Sequence, residues 1–221
     1  MIFSLVKDEY VIFDVGGNIG WYSIALAKAK RNLIIHAFEP IPSTYEQFVA
    51  NAQYNGVQIT INNCALFDKQ CDLKFYVYEQ DFGNASATIM HEEKDNKEII
   101  CKTTTLDMYA KEQNLTRLDF IKCDIEGAEF FALKGGLKTL EQYKPILFVE
   151  MLRKWAGKYN YHPNDIIDLL GSLGYMCYFV CHRESTLKLT RLEKMTEETR
   201  ETNFFFLHKE KHKSQIENFV L

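Results

Sequence analysis

The sequence predicts a doubly wound α/β fold with a mostly parallel sheet. The first observation is a series of short apolar runs, several of them closed by glycine or proline, that are typical of strands buried on both faces. The second is that segments with apolar residues at helical spacing lie between these runs, and this alternation favours a parallel sheet. The third is that 47% of the 221 residues are hydrophobic, which is enough for one sizeable core.

The first part of the pattern covers about residues 10–70. Its apolar runs end at a glycine pair, at two prolines and at a pair of asparagines, and Ser43 is a favourable helix cap. The predicted elements are the strands Tyr10–Val15, Leu33–Phe38 and Val57–Asn63, and the helices Ile19–Lys30 and Tyr45–Asn55.

The segment of about 71–104 breaks this rhythm. Asp72–Tyr78 and Glu98–Thr104 alternate between apolar and polar residues, which is typical of strands with one exposed face. A loop that contains Gly, Asn and Ser lies between them. We therefore predict a small β-hairpin insertion in the α/β domain.

The first rhythm returns over about residues 105–208, and a charged tail, 209–221, ends the chain. The last predicted strand has no helix before it, so we expect it to be antiparallel and at the sheet edge. In the tail, Lys209, Lys211, His212 and Lys213 predict a solvated end. Together these segments form one predicted domain, 1–221. The elements of this part are the helices Leu106–Gln113, Ala128–Gln142 and Asn164–Leu173, and the strands Leu118–Cys123, Pro145–Met151, Tyr175–Cys181 and Asn203–His208.

The bulk composition excludes several classes of protein. The net charge of −4 gives no general attraction for nucleic acid. The six cysteines contain no C-x-x-C pair, so we expect free thiols in a reducing compartment. No apolar run approaches the ~18–20 residues of a membrane span, and charged residues interrupt the start of the chain. We expect a cytoplasmic protein without a membrane span.

The first turn between a strand and a helix predicts a ligand site. Ligands of doubly wound sheets bind at the carboxyl ends of the strands, where glycines let the backbone approach them. The spacing D-x-G-x-x-x-G differs from the dinucleotide fingerprint, and its acid suits an ammonium better than a pyrophosphate. S-adenosylmethionine carries an ammonium and no phosphate, so we predict that it is the ligand. The residues of this turn are Asp14, Gly16, Gly17, Asn18 and Gly20.

The ends of the next two strands add candidates for binding a nucleoside. Glu39, followed by Pro40, comes 19 residues after Gly20, where an acid can accept both hydroxyls of a ribose. Capping of the next helix is the alternative role for Glu39. Asn63, Ala65 and Leu66 are candidate neighbours of the adenine, or they form a plain strand end.

A group of acids follows the fourth predicted strand of the α/β pattern. Asp124 and Glu126 are candidates for positioning a hydroxyl, accepting its proton or binding a metal. Glu129 has the alternative role of complementing a helix dipole. Glu150, at the end of the fifth strand, is a further member. Asp124 is our first candidate base and Glu126 the second; His162 is the third, unless it is a surface residue or a helix cap.

Six segments resemble the FkbM family of methyltransferases. They are DVGGNIGWYS, AFEPIPSTYEQFVANAQYN, CALFD, TTTLD, LDFIKCDIEGAE and PILFVE, in this order from Asp14 to Glu150. Gly17 departs from the family pattern, in which alanine is more usual. The chain also begins almost at the first strand, so we expect a smaller lid over the acceptor.

The resemblance implies a class I, Rossmann-like fold with a seven-stranded sheet. It also implies O-methylation of a sugar, glycan or secondary metabolite with S-adenosylmethionine as the donor and S-adenosylhomocysteine as the product. Asp124 and Glu126 then face the reacting end, and Asp124 is also a candidate for binding the cofactor. The residues implied to hold the cofactor are Asp14, Gly16, Asn18, Gly20 and Glu39.

Two other functions fit the same fold. In a metal-dependent small-molecule O-methyltransferase, the acids around Asp124 bind magnesium. In a non-catalytic module, the fold binds only the cofactor or a partner. The glycine spacing disfavours a nicotinamide oxidoreductase.

Overall fold

Eight strands form a central sheet, and helices cover both of its faces. The structure is a computed structural model that describes residues 1–78, 85–86, 96–183 and 186–221. The strands are β1 (Val11–Val15), β2 (Ile34–Phe38), β3 (Thr60–Asn62), β4 (Ala65–Leu66), β5 (Asp72–Tyr78), β6 (Ala85–Ser86), β7 (Asn96–Thr104), β8 (Phe120–Cys123), β9 (Ile146–Glu150), β10 (Tyr175–Arg183), β11 (Thr186–Leu192) and β12 (Asn203–His208). The helices are α1 (Ile2–Leu5), α2 (Trp21–Ala29), α3 (Pro42–Tyr54), α4 (Leu106–Glu112), α5 (Glu129–Lys134), α6 (Leu137–Tyr143), α7 (Arg153–Lys158), α8 (Pro163–Ser172) and α9 (Lys213–Phe219).

The order of the strands places five carboxyl ends at one edge of the sheet. The order is β11-β10-β12-β9-β8-β1-β2-β3, and neighbours from β9 to β3 are parallel. After β1, the chain builds outward through β2 and β3 and then returns to β8 on the other side of β1. The order therefore reverses between β1 and β8, which is where doubly wound folds bind ligands.

The core lies on both faces of the sheet, as the apolar runs predict. Val11, Phe13 and Val15 of β1 belong to the cluster on one face, while Ile12 belongs to the cluster on the other. Because strand residues alternate in direction, a run that is apolar at every position is buried on both sides. The doubly wound α/β class is confirmed.

Two details of the predicted sheet are wrong. The central sheet has one strand more than the seven predicted, because β11 pairs antiparallel with β10 at the edge. The last strand, β12, is antiparallel as expected, but it lies between β9 and β10. Its consecutive residues Phe204–Leu207 are all buried, so both faces of this strand are covered by the packed layers.

The insertion forms a separate, four-stranded sheet of order β4-β7-β5-β6. β5 and β7 pair antiparallel with Asp72 opposite Lys102, so the predicted hairpin is confirmed. Ile41, Phe75 and Cys101 form a small apolar cluster that joins this sheet to the start of α3. The loop predicted between the two strands lies outside the described residues, except for β6.

The helix predicted over Ala128–Gln142 is instead two helices, α5 and α6. The break falls at Gly135 and Gly136. A Cβ atom on Gly135 would lie 2.1 Å from the carbonyl oxygen of Phe67, so the chain approaches the loop after β4 too closely for a larger residue. This tertiary contact therefore ends the helix at a point where the spacing of apolar residues predicts that it continues.

The C-terminal tail is not a solvated end. α9 lies within it, and Leu221 donates its backbone N–H to Leu189 of β11. His212 is only 3% exposed, and its Nδ1 accepts the backbone N–H of His208 at 2.9 Å. Lys209, Lys211 and Lys213 are exposed, as expected.

Two predictions from composition are also addressed by the structure. All six cysteines lie in the described residues, and all are free. Within the described part of the chain, no helix is long and apolar enough to cross a membrane.

Candidate active site

A cavity of about 450 Å³ opens at the carboxyl ends of β1, β2, β8 and β9. It lies at the reversal of strand order, where the fold predicts a ligand. One part is apolar and the other carries acids. The apolar lining includes Phe38, Ile41, Leu66, Phe67, Leu73 and Phe75, and the charged lining consists of Glu39, Lys122, Asp124, Glu126 and Glu150.

The glycine turn forms one wall of the cavity. Gly16, Gly17 and Asn18 line it, and Gly16 has a φ of +77°. A Cβ atom on Gly16 would lie 2.0 Å from the backbone oxygen of Asp124, so this wall fits against the end of β8 only without a side chain. Gly20 lies behind the wall, where a Cβ would meet the ring of Phe48 at 2.3 Å.

Asp14 faces the protein interior and is not among the cavity-lining residues, contrary to the expectation that it contacts an ammonium directly. It is 2% exposed, and its Oδ2 accepts the hydroxyl of Ser23 at 2.6 Å. Its Oδ1 lies 3.3 Å from Nζ of Lys122. The buried lysine requires a counter-charge, and Asp14 supplies it.

Lys122 is the functional residue that the sequence analysis missed. Its Nζ donates to the carbonyl oxygen of Gly16 and lies 3.7 Å from Oδ2 of Asp124. Burial acts to lower the pKa of Lys122, but the charges of Asp14 and Asp124 outweigh burial and raise it. The lysine therefore ties β1, the glycine turn and the end of β8 together. Its signal in the sequence is a cation within the apolar strand FIKC.

Glu39 lines the cavity with both carboxylate oxygens held by backbone N–H groups. Oε2 accepts from Asn18 at 2.9 Å, and Oε1 accepts from Ile41, the cap residue of α3, at 3.0 Å. Burial raises the pKa of Glu39 to about 7, although these hydrogen bonds oppose the shift. Each oxygen retains a lone pair for a ligand hydroxyl. The alternative of a capping role is thus partly right, and it is compatible with binding a ribose.

The remaining candidates, which follow β2 and β3, divide into residues that line the cavity and residues that support it. Pro40, Ala65 and Leu66 line the cavity. Asn63 is not among the lining residues, and its side chain donates to the carbonyl oxygens of Glu39 and Pro40 at 2.9 and 3.1 Å. It therefore holds the segment that carries Glu39.

Three acids meet at the ends of β8 and β9. The pairing of Cys123 with Val149 places Asp124 and Glu150 side by side, with Glu126 in the following loop. Burial, followed by the charges of Asp124, Glu126 and Glu129, raises the pKa of Glu150 to about 8. Burial and Asp124 also raise the pKa of Glu126. This end of the cavity is therefore acidic and holds protons near neutral pH.

Glu129 organises the loop that carries these acids. It is buried, and its Oε1 accepts the N–H groups of Ile125 and Gly127 at 2.9 and 3.2 Å. The hydroxyl of Tyr161 lies 3.3 Å from Oε2. Burial raises the pKa of Glu129 to about 7 against these hydrogen bonds. Its position is structural, since it does not line the cavity.

His162, the third candidate base, is not brought to the cavity. It is the N-cap of α8, and its Nδ1 accepts the backbone N–H of Asn164 at 3.1 Å. Asp165 accepts the N–H of His162 at 2.8 Å and completes a capping box. The structure therefore places His162 at a helix cap, which was its alternative role.

The part of the chain that the structure describes contains no group of three His, Cys, Asp or Glu side chains arranged to hold a metal ion.

A glycine turn, an acid after β2 and a cavity at the reversal of strand order place a ligand site in a protein of the Rossmann-like α/β type. The family model of the methyltransferase FkbM domain matches residues 14–177, which is most of the chain. The chain belongs to this family. The family predicted from the six motifs is confirmed.

Individual relatives are distant. Methyltransferase 1 of Beauveria bassiana is 29% identical, over 58% of this chain and 59% of its own length. Hexuronic acid methyltransferase AglP of Haloferax volcanii is 23% identical, over 64% of this chain and 56% of its own length. The chain thus spans a little more than half the length of these curated relatives. The crystal structure of the FkbM methyltransferase of Methylobacillus flagellatus shares the fold, with a TM-score of 0.53 and 17% identity over 91% of this chain and 44% of that one.

Proposed function

We propose that this chain is an S-adenosylmethionine-dependent methyltransferase that acts on a hydroxyl group of a sugar, glycan or secondary-metabolite acceptor. The observation that carries the proposal is the group of acids, Asp124, Glu126 and Glu150, in the cavity beside the glycine turn. A hydroxyl must lose its proton during methylation, and carboxylates are suitable acceptors for it. The name of the Haloferax volcanii relative, a hexuronic acid methyltransferase, supports a sugar-type acceptor.

The cavity fits the cofactor in two parts. Gly16, Gly17 and Asn18 line the cavity, and the absence of a side chain at Gly16 lets this wall pack directly against the backbone of Asp124. This backbone wall suits the amino-acid portion. Glu39 suits the two ribose hydroxyls, and the apolar lining at Pro40 and Leu66 suits the adenine. In this proposal Asp14, Gly20 and Asn63 do not contact the cofactor. They support the glycine turn and the segment that carries Glu39.

When bound, S-adenosylmethionine supplies a methyl group that is already activated by the positive sulfur. The protein's own contribution is then to align the acceptor oxygen with that group, and positioning can supply roughly 7–11 kcal/mol of barrier reduction. Removal of the hydroxyl proton by a carboxylate adds a factor of about 10²–10⁴.

We expect S-adenosylmethionine and S-adenosylhomocysteine to stabilise the protein and NAD to have no effect. A ligand at 100 times its dissociation constant adds ~2.7 kcal/mol, which is roughly 5–10 °C in Tm for a domain of this size. Thermal unfolding with each ligand measures this shift. No shift with either adenosyl compound at millimolar concentration contradicts the proposed cofactor site.

A chelator distinguishes base catalysis from the metal-dependent alternative. With carboxylates as the proton acceptors, we expect EDTA to leave turnover unchanged. Release of S-adenosylhomocysteine, measured over a panel of methyl hexopyranosides and related polyols, reports turnover. A loss with EDTA that magnesium restores assigns the acids around Asp124 to a metal instead.

A further inference from the structure

We infer that Glu150 is the catalytic carboxylate that takes the acceptor's proton, and that Asp124 is a cofactor-side carboxylate. This inference rests on the proposed function and divides two roles that the sequence assigned together to Asp124. It also places the base on β9, one strand beyond the position expected from the motifs.

The surroundings of Asp124 tie it to the cofactor side. Its strand, β8, is the direct neighbour of β1, and its backbone oxygen lies 2.0 Å from the position that a Cβ atom of Gly16 would take. Its carboxylate is 3.7 Å from Nζ of Lys122, which also binds the Gly16 carbonyl. Asp124 is thus engaged by the lysine that holds the glycine turn.

Glu150 lies farther from the turn. It ends β9, so it is displaced by one strand spacing, about 4.8 Å, from Asp124 and away from β1. It lines the cavity and is partly exposed. On the other side of β9, its partner in β12 is the uncharged Asn203. Glu150 therefore borders the part of the cavity that remains for the acceptor once the turn holds the cofactor.

The charges around Glu150 favour its role as a base. The groups that face it are the carboxylates of Asp124, Glu126 and Glu129. Of the described cavity-lining residues, the one cation is Lys122, and it is paired with Asp14 and Asp124. Burial, followed by the charges of these carboxylates and a side-chain hydrogen bond with Asp124, raises the pKa of Glu150 to about 8, and a base is most effective when its pKa is near the working pH.

The step balances in atoms and electrons. The acceptor oxygen forms a bond to the methyl carbon, the bond from that carbon to sulfur breaks, and its electron pair goes to sulfur. The O–H bond of the acceptor breaks, and the proton goes to the Glu150 carboxylate. The positive sulfur in the same cavity attracts Glu150 in its ionised form, so the pKa of Glu150 falls when the methyl donor binds.

The test compares Glu150→Gln with Asp124→Asn, and Glu141→Gln, an exposed site on α6, serves as the matched control. Calorimetry measures the affinity for S-adenosylhomocysteine. We expect Asp124→Asn to weaken binding about tenfold or more, as for the loss of one charge-assisted hydrogen bond, and Glu150→Gln to leave it within about threefold. A larger loss of affinity in Glu150→Gln than in Asp124→Asn overturns the inference.

A second readout needs no acceptor. Difference infrared spectroscopy follows the carbonyl stretch of a protonated carboxyl as pH rises. In the wild type we expect such a group to titrate near pH 8, and at lower pH with S-adenosylmethionine than with S-adenosylhomocysteine. In Glu150→Gln we expect the component near pH 8 to be lost, while components from Glu39 and Glu129 near pH 7 remain. A component near pH 8 that persists unchanged in this variant overturns the assignment.

Turnover on the methyl hexopyranoside panel completes the test. We expect Glu150→Gln to lower kcat by about 10²–10⁴-fold with little change in the KM for S-adenosylmethionine, and to remove the rise of kcat/KM with pH. Near-normal kcat in this variant rejects the catalytic role of Glu150 but leaves the proposed function in place. Absence of S-adenosylhomocysteine binding by the wild type rejects the proposed function itself, so the two failures are distinguishable.

Discussion

Replacing Gly16 with alanine is expected to abolish cofactor binding and to destabilise the fold. The residue has a φ of +77°, which alanine adopts at a cost of about 1–2 kcal/mol. The new Cβ atom would also lie 2.0 Å from the backbone oxygen of Asp124 and 2.8 Å from Cγ2 of Ile125. Neither β8 nor its following loop can recede without opening the cavity wall. We expect a loss of at least about 2 kcal/mol and a fall in Tm of roughly 4–8 °C.

Gly56→Ala is the matched control for this prediction. Gly56 has a φ of +65°, but nothing lies within 4 Å of a Cβ atom placed there, so alanine adds backbone strain and no clash. We expect it to lose only about 1 kcal/mol and to bind S-adenosylhomocysteine normally. Thermal unfolding and calorimetry on both variants separate strain from the clash. Wild-type affinity in Gly16→Ala contradicts the assignment of this wall to the cofactor.

Local patterns predicted the elements of the fold better than their arrangement. The runs that became β1, β2, β8 and β9 are apolar at nearly every position, and only strands covered on both faces have this composition. β11, TLKLTRL, was missed because its alternating Lys, Thr and Arg positions suit an exposed edge whose pairing depends on β10. The place of β12 is set by its pairing with both β9 and β10, whereas the lack of a preceding helix indicates only its direction.

The sequence predicted those site residues that the topology of the sheet alone brings together. Glu39, Asp124 and Glu150 end parallel strands, and the carboxyl ends of parallel strands meet at one edge. The direction of a side chain, in contrast, depends on contacts between residues that are far apart in sequence. Asp14 is turned inward by Lys122, and the two are register partners only because β1 and β8 are neighbours, far apart in sequence.

His162 illustrates the opposite limit of sequence patterns. A histidine before Pro163 and Asn164 fits both a substrate loop and a helix cap. The choice depends on hydrogen bonds to Asn164 and Asp165 that form with α8 itself. No spacing of site residues along the chain carries that information.

Replacing Lys122 with methionine is expected to be the most destabilising change at the site. Asp14 is 2% exposed, and without the lysine its carboxylate retains only the hydrogen bond from Ser23. Removing one partner of a buried ion pair leaves an uncompensated charge and costs about 3–5 kcal/mol. The carbonyl oxygen of Gly16 loses its donor at the same time. Urea denaturation measures the loss, and Lys111→Met, at an exposed position on α4, is the control for the loss of a cation.

The double variant Asp14→Asn, Lys122→Met separates the ion pair from other effects of the lysine. An asparagine carries no charge, so the cost of a buried, unpaired carboxylate disappears and part of the stability returns. We expect the double variant to be more stable than Lys122→Met alone, with a coupling free energy of about 0.5–3 kcal/mol. We expect S-adenosylhomocysteine binding to be weak in both Lys122→Met and the double variant, because both lack the cation that holds Gly16 and Asp124. Equal stability of the single and double variants excludes the ion pair as the cause, and normal binding in the double variant excludes a role of Lys122 in shaping the turn.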